Sequence, residues 1–169
     1  MTTFHELAAS RYSVRDYSSK EVEPQILEQI LETGNIAPTA CNNQPQRIKV
    51  LTAPEDLEKV NQCTSCRFGA PVVLLICYDR DVCWTRRFDH ALSGEVDASI
   101  VTTHMMLEAH ALGLGTCWVM YFDAAKTTEL FELPANIVPV AVLPIGYPAG
   151  NAKPALQHNK RVPLGKILL

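Results

Sequence analysis

The chain has 169 residues, 47% of them hydrophobic and 20% charged, with a net charge of −3. This is ordinary globular composition, sufficient for a core without disulfides. It lacks the basic stripe of a nucleic-acid binder and any apolar run of the roughly 18–20 residues that spans a bilayer, so neither nucleic acid nor a membrane is an expected partner. Met1 to Tyr17 lack the charged-then-apolar order of a signal peptide. A cytoplasmic protein is expected, with Cys41, Cys63, Cys66, Cys77, Cys83 and Cys117 as thiols.

In chain order, residues 3–10 read as a short helix running into the polar cluster Arg11 to Tyr17. Residues 23–37 place Ile26, Leu27, Ile30 and Leu31 on one helical face, with Pro24 in the first turn. Pro38 stops this helix, and Thr39 to Pro45 is loop chemistry. Residues 47–52 alternate as a strand would, and Pro54 opens a short helix. Residues 72–77 form a continuous apolar run of strand length, which suits a central strand covered on both faces.

Residues 79–92 are polar but carry Trp84 and Phe88, as a loop or short helix beside a site. From Glu95 to Leu112 runs the longest helix. Ala98, Val101, Met105, Ala109 and Leu112 make one stripe, while Ile100, Met106, Leu107 and Ala111 are apolar elsewhere. Such a helix is buried on more than one side, at the centre of the fold or at a subunit interface. Gly113 and Gly115 end it, residues 116–120 read as a strand, and Asp123 caps a further helix over 124–131. A last β run, 137–145, is interrupted at Pro139 and Pro144. The apolar tail after Gln157 has no place in a compact monomer. With no repeat or linker, the chain reads as one domain over residues 1–169, α+β or mixed α/β.

Three stretches carry chemistry. Arg11, Ser13 and Arg15, with Tyr12 and Val14 between them, present two planar guanidinium forks about a hydroxyl, a donor set that matches a phosphate monoester. Lys160 and Arg161 add late cations. Ala37 to Pro45 is rich in amides that can bond the edge of a heterocycle. Gly113 to Asp123 has paired glycines that permit close backbone approach, followed by amides that can face a ligand. Taken alone, the first is better read as a solvated basic turn and the second as a helix-capping loop, and a helix C-cap before a buried strand fully accounts for the third.

In this order in one chain, the three resemble the nitroreductase family of FMN enzymes: Arg11 to Arg15, Ala37 to Pro45, Gly113 to Asp123, Gly146-Tyr147-Pro148, and Arg161-Val162-Pro163-Leu164. The resemblance covers nearly the whole chain. It implies an α+β fold with a mixed, largely antiparallel sheet flanked by helices, a long central interface helix, and a C-terminal arm reaching the partner subunit. It implies that Arg11, Tyr12, Ser13, Arg15, Lys160 and Arg161 hold the FMN phosphate and ribityl chain. Pro38, Thr39, Ala40, Asn42 and Gln44 would reach a flavin from the other subunit of a homodimer whose sites lie at the interface. Val119 and Met120 would bring backbone to the flavin ring, and Arg67 is a candidate cation beside flavin N1 and O2, or else a surface arginine.

The implied activity is a ping-pong transfer of two electrons from NADH or NADPH to a small electron-poor acceptor, a nitroaromatic or quinone, with the flavin carrying the chemistry. A non-catalytic flavin-binding protein and a specialised flavin-dependent dehydrogenation are the alternatives. The chain departs from the family pattern in having Thr39 for Ser, Gln46 for Trp, and Met120 for Gly, and it is short for the family. Cys63 and Cys66 form a C-x-x-C pair, but it precedes a strand and has no second pair, so neither zinc nor thiol-redox chemistry is expected of it.

Overall fold

The apolar run from Val72 becomes the interior strand of a four-stranded sheet. The computed structural model describes residues 3–169, and its strands are β1 (Gln46–Leu51), β2 (Val72–Asp79), β3 (Gly115–Thr116) and β4 (Ile137–Gly146), in the order β1-β2-β4-β3. All three strand pairings are antiparallel. Among the described residues the parallel element is a single bridge from Ser13 to Thr116.

Successive β2 side chains point to opposite faces. Val72, Leu74, Ile76 and Tyr78 enter a cluster with Ile30, Ala98, Val101 and Met105 from two helices, α2 (Pro24–Asn35) and α4 (Gly94–Ala111). Val73, Leu75 and Cys77 enter a second cluster with Val60 and Phe131, beside α3 (Pro54–Cys63) and α5 (Ala124–Leu130). Burial on both faces explains why β2 lacks polar alternation. The helices α2 and α4 touch closely because Gly34 has no side chain; a Cβ there would lie 2.7 Å from Met105 Cγ.

Two expectations about strands are corrected. Pro139 and Pro144 do not interrupt the last β run: β4 is continuous over ten residues. Pro139 sits opposite Cys77, where the β2 register shifts, and a bulge tolerates the missing N–H. The strand expected over 116–120 is cut to Gly115–Thr116, with an isolated bridge from Val119 to Val142. Cys117 N–H reaches the Pro144 carbonyl at 3.4 Å, but Pro144 has no N–H to return. The two findings are one: the proline that β4 accommodates shortens its neighbour.

The first helix, α1 (Phe4–Ser10), starts at a reciprocal cap between Thr3 and Glu6 and ends against α4, where Ser10 Oγ lies 2.9 Å from His110 Nε2. Residues 84–93 form a hairpin rather than a helix. Thr85 bridges Leu92, Ser93 N–H donates to Trp84 O at 2.8 Å, and Arg86 grips Asp89 through two bonds of 2.7 and 2.6 Å. Among the described residues no helix is long and apolar enough to cross a membrane.

Candidate functional site

After α1 the chain is extended and runs beside β3, with Val14 N–H donating to Thr116 O at 2.9 Å. Alternation then decides what faces where. Val14 is buried against Gly115, where a Cβ would lie 2.4 Å from Val14 Cγ2. Arg11, Ser13 and Arg15 share the opposite side. Tyr17 pins this segment to the sheet by donating its hydroxyl to the carbonyls of Val14 and Pro144 at 3.0 and 3.3 Å.

Arg11, Tyr12, Ser13 and Arg15 line a hollow of about 240 Å³, closed by Ala155, Gln157, His158 and Arg161 from the tail. Arg161 is aimed there while its guanidinium donates to the carbonyls of His158 and Lys160. Lys160 is not among the lining residues. Three guanidinium groups thus converge with no carboxylate in the wall, and none takes part in an ion pair among the described residues. The same excess of positive charge is felt behind the wall: burial, then Arg11, lowers the His110 pKa. Like charges gathered without a counter-charge are unfavourable unless an anion is to be bound. A phosphate monoester fits this set: planar forks for its oxygens, a hydroxyl, and room for one tetrahedral group.

The backbone continues from Thr116, beside Ser13, to Met120, about 13 Å at extended rise. There Met120, Tyr121, Phe122 and Asp123 face Asn61 to Ser65 across a hollow of about 490 Å³. This turn is fixed by its opposite wall: Thr64 Oγ donates to Tyr121 O at 2.5 Å, and Asp123 N–H to Cys63 O at 2.9 Å. Val119 is buried rather than in the wall. Arg67 lies in the loop behind Ser65 and donates to Asn61 Oδ1 at 2.7 Å and Ala70 O at 2.8 Å, so its Nε is committed to structure. The Cys77 thiol, inside the sheet, is pushed up to about 12 by burial. The six cysteines are free, and among the described residues no group of three or more metal-ligating side chains gathers.

The loop Pro38 to Gln44 is elsewhere. Ala40 lines a third hollow with Trp84, Leu92, Val96 and Ile100, and Gln44 a fourth. Ala40 N–H donates to Asp97 in the first turn of α4, whereas Arg11 lies beside His110 in its last turn. Thirteen residues of helix separate the two, about 20 Å. Within one chain, the sequence-predicted residues fall into two groups at opposite ends of α4. Cys41, Asn42 and Gln44 all adopt left-handed backbone, with φ of 53°, 55° and 50°. The loop holds itself through Gln44 N–H to Thr39 Oγ1 and Gln44 Nε2 to Asn42 Oδ1, each 3.1 Å, and Asn43 donates to Val82 O.

Sequence reasoning missed Gln157 and His158, Asn61 to Ser65, Tyr121, and Asp97. The tail's part in the arginine hollow was signalled by Arg161. Asp97 carried no signal beyond an acid in a helical first turn.

The model of the nitroreductase family matches residues 8–68 and 67–147. A nitroreductase family protein from Clostridium difficile 630 superposes with a TM-score of 0.93 at 42% identity, covering 99% of this chain and 97% of that one. A structure from Desulfovibrio desulfuricans with bound FMN superposes with a TM-score of 0.83 at 29% identity, covering 98% and 94%. An NAD(P)H-dependent FMN reductase of Bacillus subtilis is 30% identical over 87% of this chain and 67% of its own length. With its antiparallel sheet, its arginine hollow and its glycine-ended central helix, the chain belongs to the nitroreductase family.

Proposed function

We propose that the protein is an FMN-dependent oxidoreductase that takes two electrons from NADH or NADPH and passes them, in two half-reactions, to a small electron-poor acceptor such as a nitroaromatic or quinone. The observation that carries this reading is the unpaired arginine hollow, joined by the Thr116–Met120 backbone to a larger cleft. Bound FMN would supply the redox chemistry. Arg11, Ser13, Arg15 and Arg161 would hold the phosphate, Met120 and Tyr121 the ring, and the fixed turn between Thr64 and Tyr121 the orientation. Met120 stays 70% exposed and leaves the cleft open, which favours a reductase over a blocked flavin-binding protein.

The working unit in this reading is a homodimer. Along α4, Val96, Ile100, Thr103 and Leu107 form a stripe that the chain itself leaves uncovered or half-covered. Pairing two such helices antiparallel about a twofold axis brings the Pro38–Gln44 loop of one copy to the arginine end of the other. Tail residues Leu156, Val162, Leu164, Ile167 and Leu168 are exposed and suit an arm laid on the partner. Six free thiols fit the reducing cytoplasm.

The test is an absorbance spectrum of purified protein, followed by anaerobic NADH or NADPH in the same cuvette. Flavin bands that bleach and recover with a quinone support the reading. A colourless protein that FMN does not reconstitute refutes it.

A further inference from the structure

Asp97 is 2% exposed and has no cationic partner among the described residues. A buried carboxylate is costly unless its oxygens are satisfied, and the positive end of α4 offsets only part of that. Its two oxygens serve different elements. Oδ1 accepts the Ala40 N–H at 2.9 Å, and Oδ2 accepts the Ser93 hydroxyl at 2.6 Å. Ser93 Oγ in turn accepts the Trp84 N–H at 3.1 Å. Two donors converging from two segments call for an acceptor-only group; an amide accepts one and must donate to the other.

The segment held at Ala40 is strained. Cys41 and Asn42, the next two residues, and then Gln44 adopt left-handed backbone, a conformation that persists for side chains only where the surroundings over-determine it. The Ala40 amide immediately precedes these residues, so its anchor sets where the strained turn sits. On the other side, Ser93 closes the hairpin that carries Trp84 at its base and Phe88, 94% exposed, near its tip.

We infer that Asp97 is a positioning residue: its buried carboxylate fixes the Thr39–Gln44 loop against the Trp84–Ser93 hairpin, and so holds the loop in the geometry that meets the flavin. The inference rests on the flavin reading above. A purely structural carboxylate would change the melting temperature and leave the affinity of the folded protein for FMN unaltered. A positioning carboxylate changes that affinity, and it changes local protection before any cofactor is added.

Hydrogen exchange of the flavin-free full chain and FMN affinity by fluorescence quenching test this with D97A, D97N and S93A. In D97A the Ala40 amide is expected to exchange at least about tenfold faster, with core amides of β2 unaltered, and FMN to bind about ten- to a hundredfold more weakly. D97N should restore only part of each, since its carbonyl still accepts from Ala40 but its amide N–H faces the Ser93 hydroxyl. S93A should speed exchange at Trp84 and weaken FMN about threefold or more; it stands in if D97A does not fold. Unchanged Ala40 protection in D97A, or FMN affinity within twofold of wild type in every folded variant, overturns the inference. Wild-type protein that binds no FMN overturns instead the reading on which it rests.

Discussion

If the arginine hollow is a phosphate site, removing the phosphate from the ligand separates its contribution from everything else. Riboflavin offers the same ring and ribityl chain as FMN without the dianion. Three guanidinium groups line the hollow; Arg15 and Arg161 are exposed and Arg11 is half-buried. For unit charges near 4 Å, Coulomb energies run from about 1 kcal/mol in water to about 4 kcal/mol at a protein surface. Exposure puts each of these arginines near the lower figure. Together they contribute about 3–4 kcal/mol, and riboflavin should bind roughly two hundred- to a thousandfold more weakly than FMN. Arg15→Ala should cost about 1 kcal/mol, five- to tenfold, for FMN and nothing for riboflavin. Screening gives an independent check, because the Debye length falls from about 10 Å at 0.1 M salt to about 3 Å at 1 M. Titration by flavin fluorescence at the two salt concentrations reads all three effects. Riboflavin binding within threefold of FMN, or FMN binding indifferent to salt, would refute the argument that these arginines converge for an anion.

Glu23 is held down to about 2, first by the Tyr147 hydroxyl donating at 2.6 Å and also by Lys20. Its stabilising effect is therefore present above the ordinary carboxylate range and lost as pH falls through that range toward 2; Tyr147→Phe should raise the Glu23 pKa measured by NMR and flatten that acid limb. Cys41 is exposed, Cys66 half-buried, and the other four thiols buried. Alkylation of native protein at pH 8 should mark Cys41 first and Cys66 more slowly, with Cys77 silent until denaturant is added; early labelling of Cys77 would contradict its place inside the sheet. Gly115→Ala drives a methyl to 2.4 Å from the buried Val14, which should cost about 1–3 kcal/mol in chemical denaturation. It should also weaken FMN in the protein that remains folded, since Ser13 moves with Val14.

The parts of the fold legible in the sequence were those with one dominant physical signal. The run from Val72 to Cys77 was apolar on both faces because two helical layers cover it, and α4 was apolar around most of its circumference because the sheet, α2 and an uncovered stripe share it. The prolines misled because their cost depends on which neighbour their N–H would face. At Pro144 that neighbour is β3, whose pairing ends there, and no local pattern encodes this. In the site, the alternate spacing of Arg11, Ser13 and Arg15 was readable as two cations about a hydroxyl, and their common face follows from an extended backbone. The conformation of Cys41, Asn42 and Gln44 was hidden, since none is glycine and the restraint on them comes from Asp97 and Thr39. Asp97 was invisible for the same reason: its role is defined by Ala40 and Ser93, which meet it only in three dimensions.

The separation of the two residue groups along α4 has a thermodynamic consequence in the proposed dimer. A single chain carries the arginine hollow at one end of α4 and the Pro38–Gln44 loop about 20 Å away at the other. Each flavin then draws its phosphate contacts from one copy and its loop contacts from the second. Cofactor binding and subunit association become linked, so each strengthens the other by the same factor. FMN affinity should fall on dilution through the dimer dissociation range, while the arginine contribution, internal to one copy, should persist. The ratio of FMN to riboflavin affinity is accordingly expected to stay constant as both weaken. A ratio that collapses on dilution would mean that the partner, and not Arg11, Arg15 and Arg161 of the same chain, organises the phosphate site.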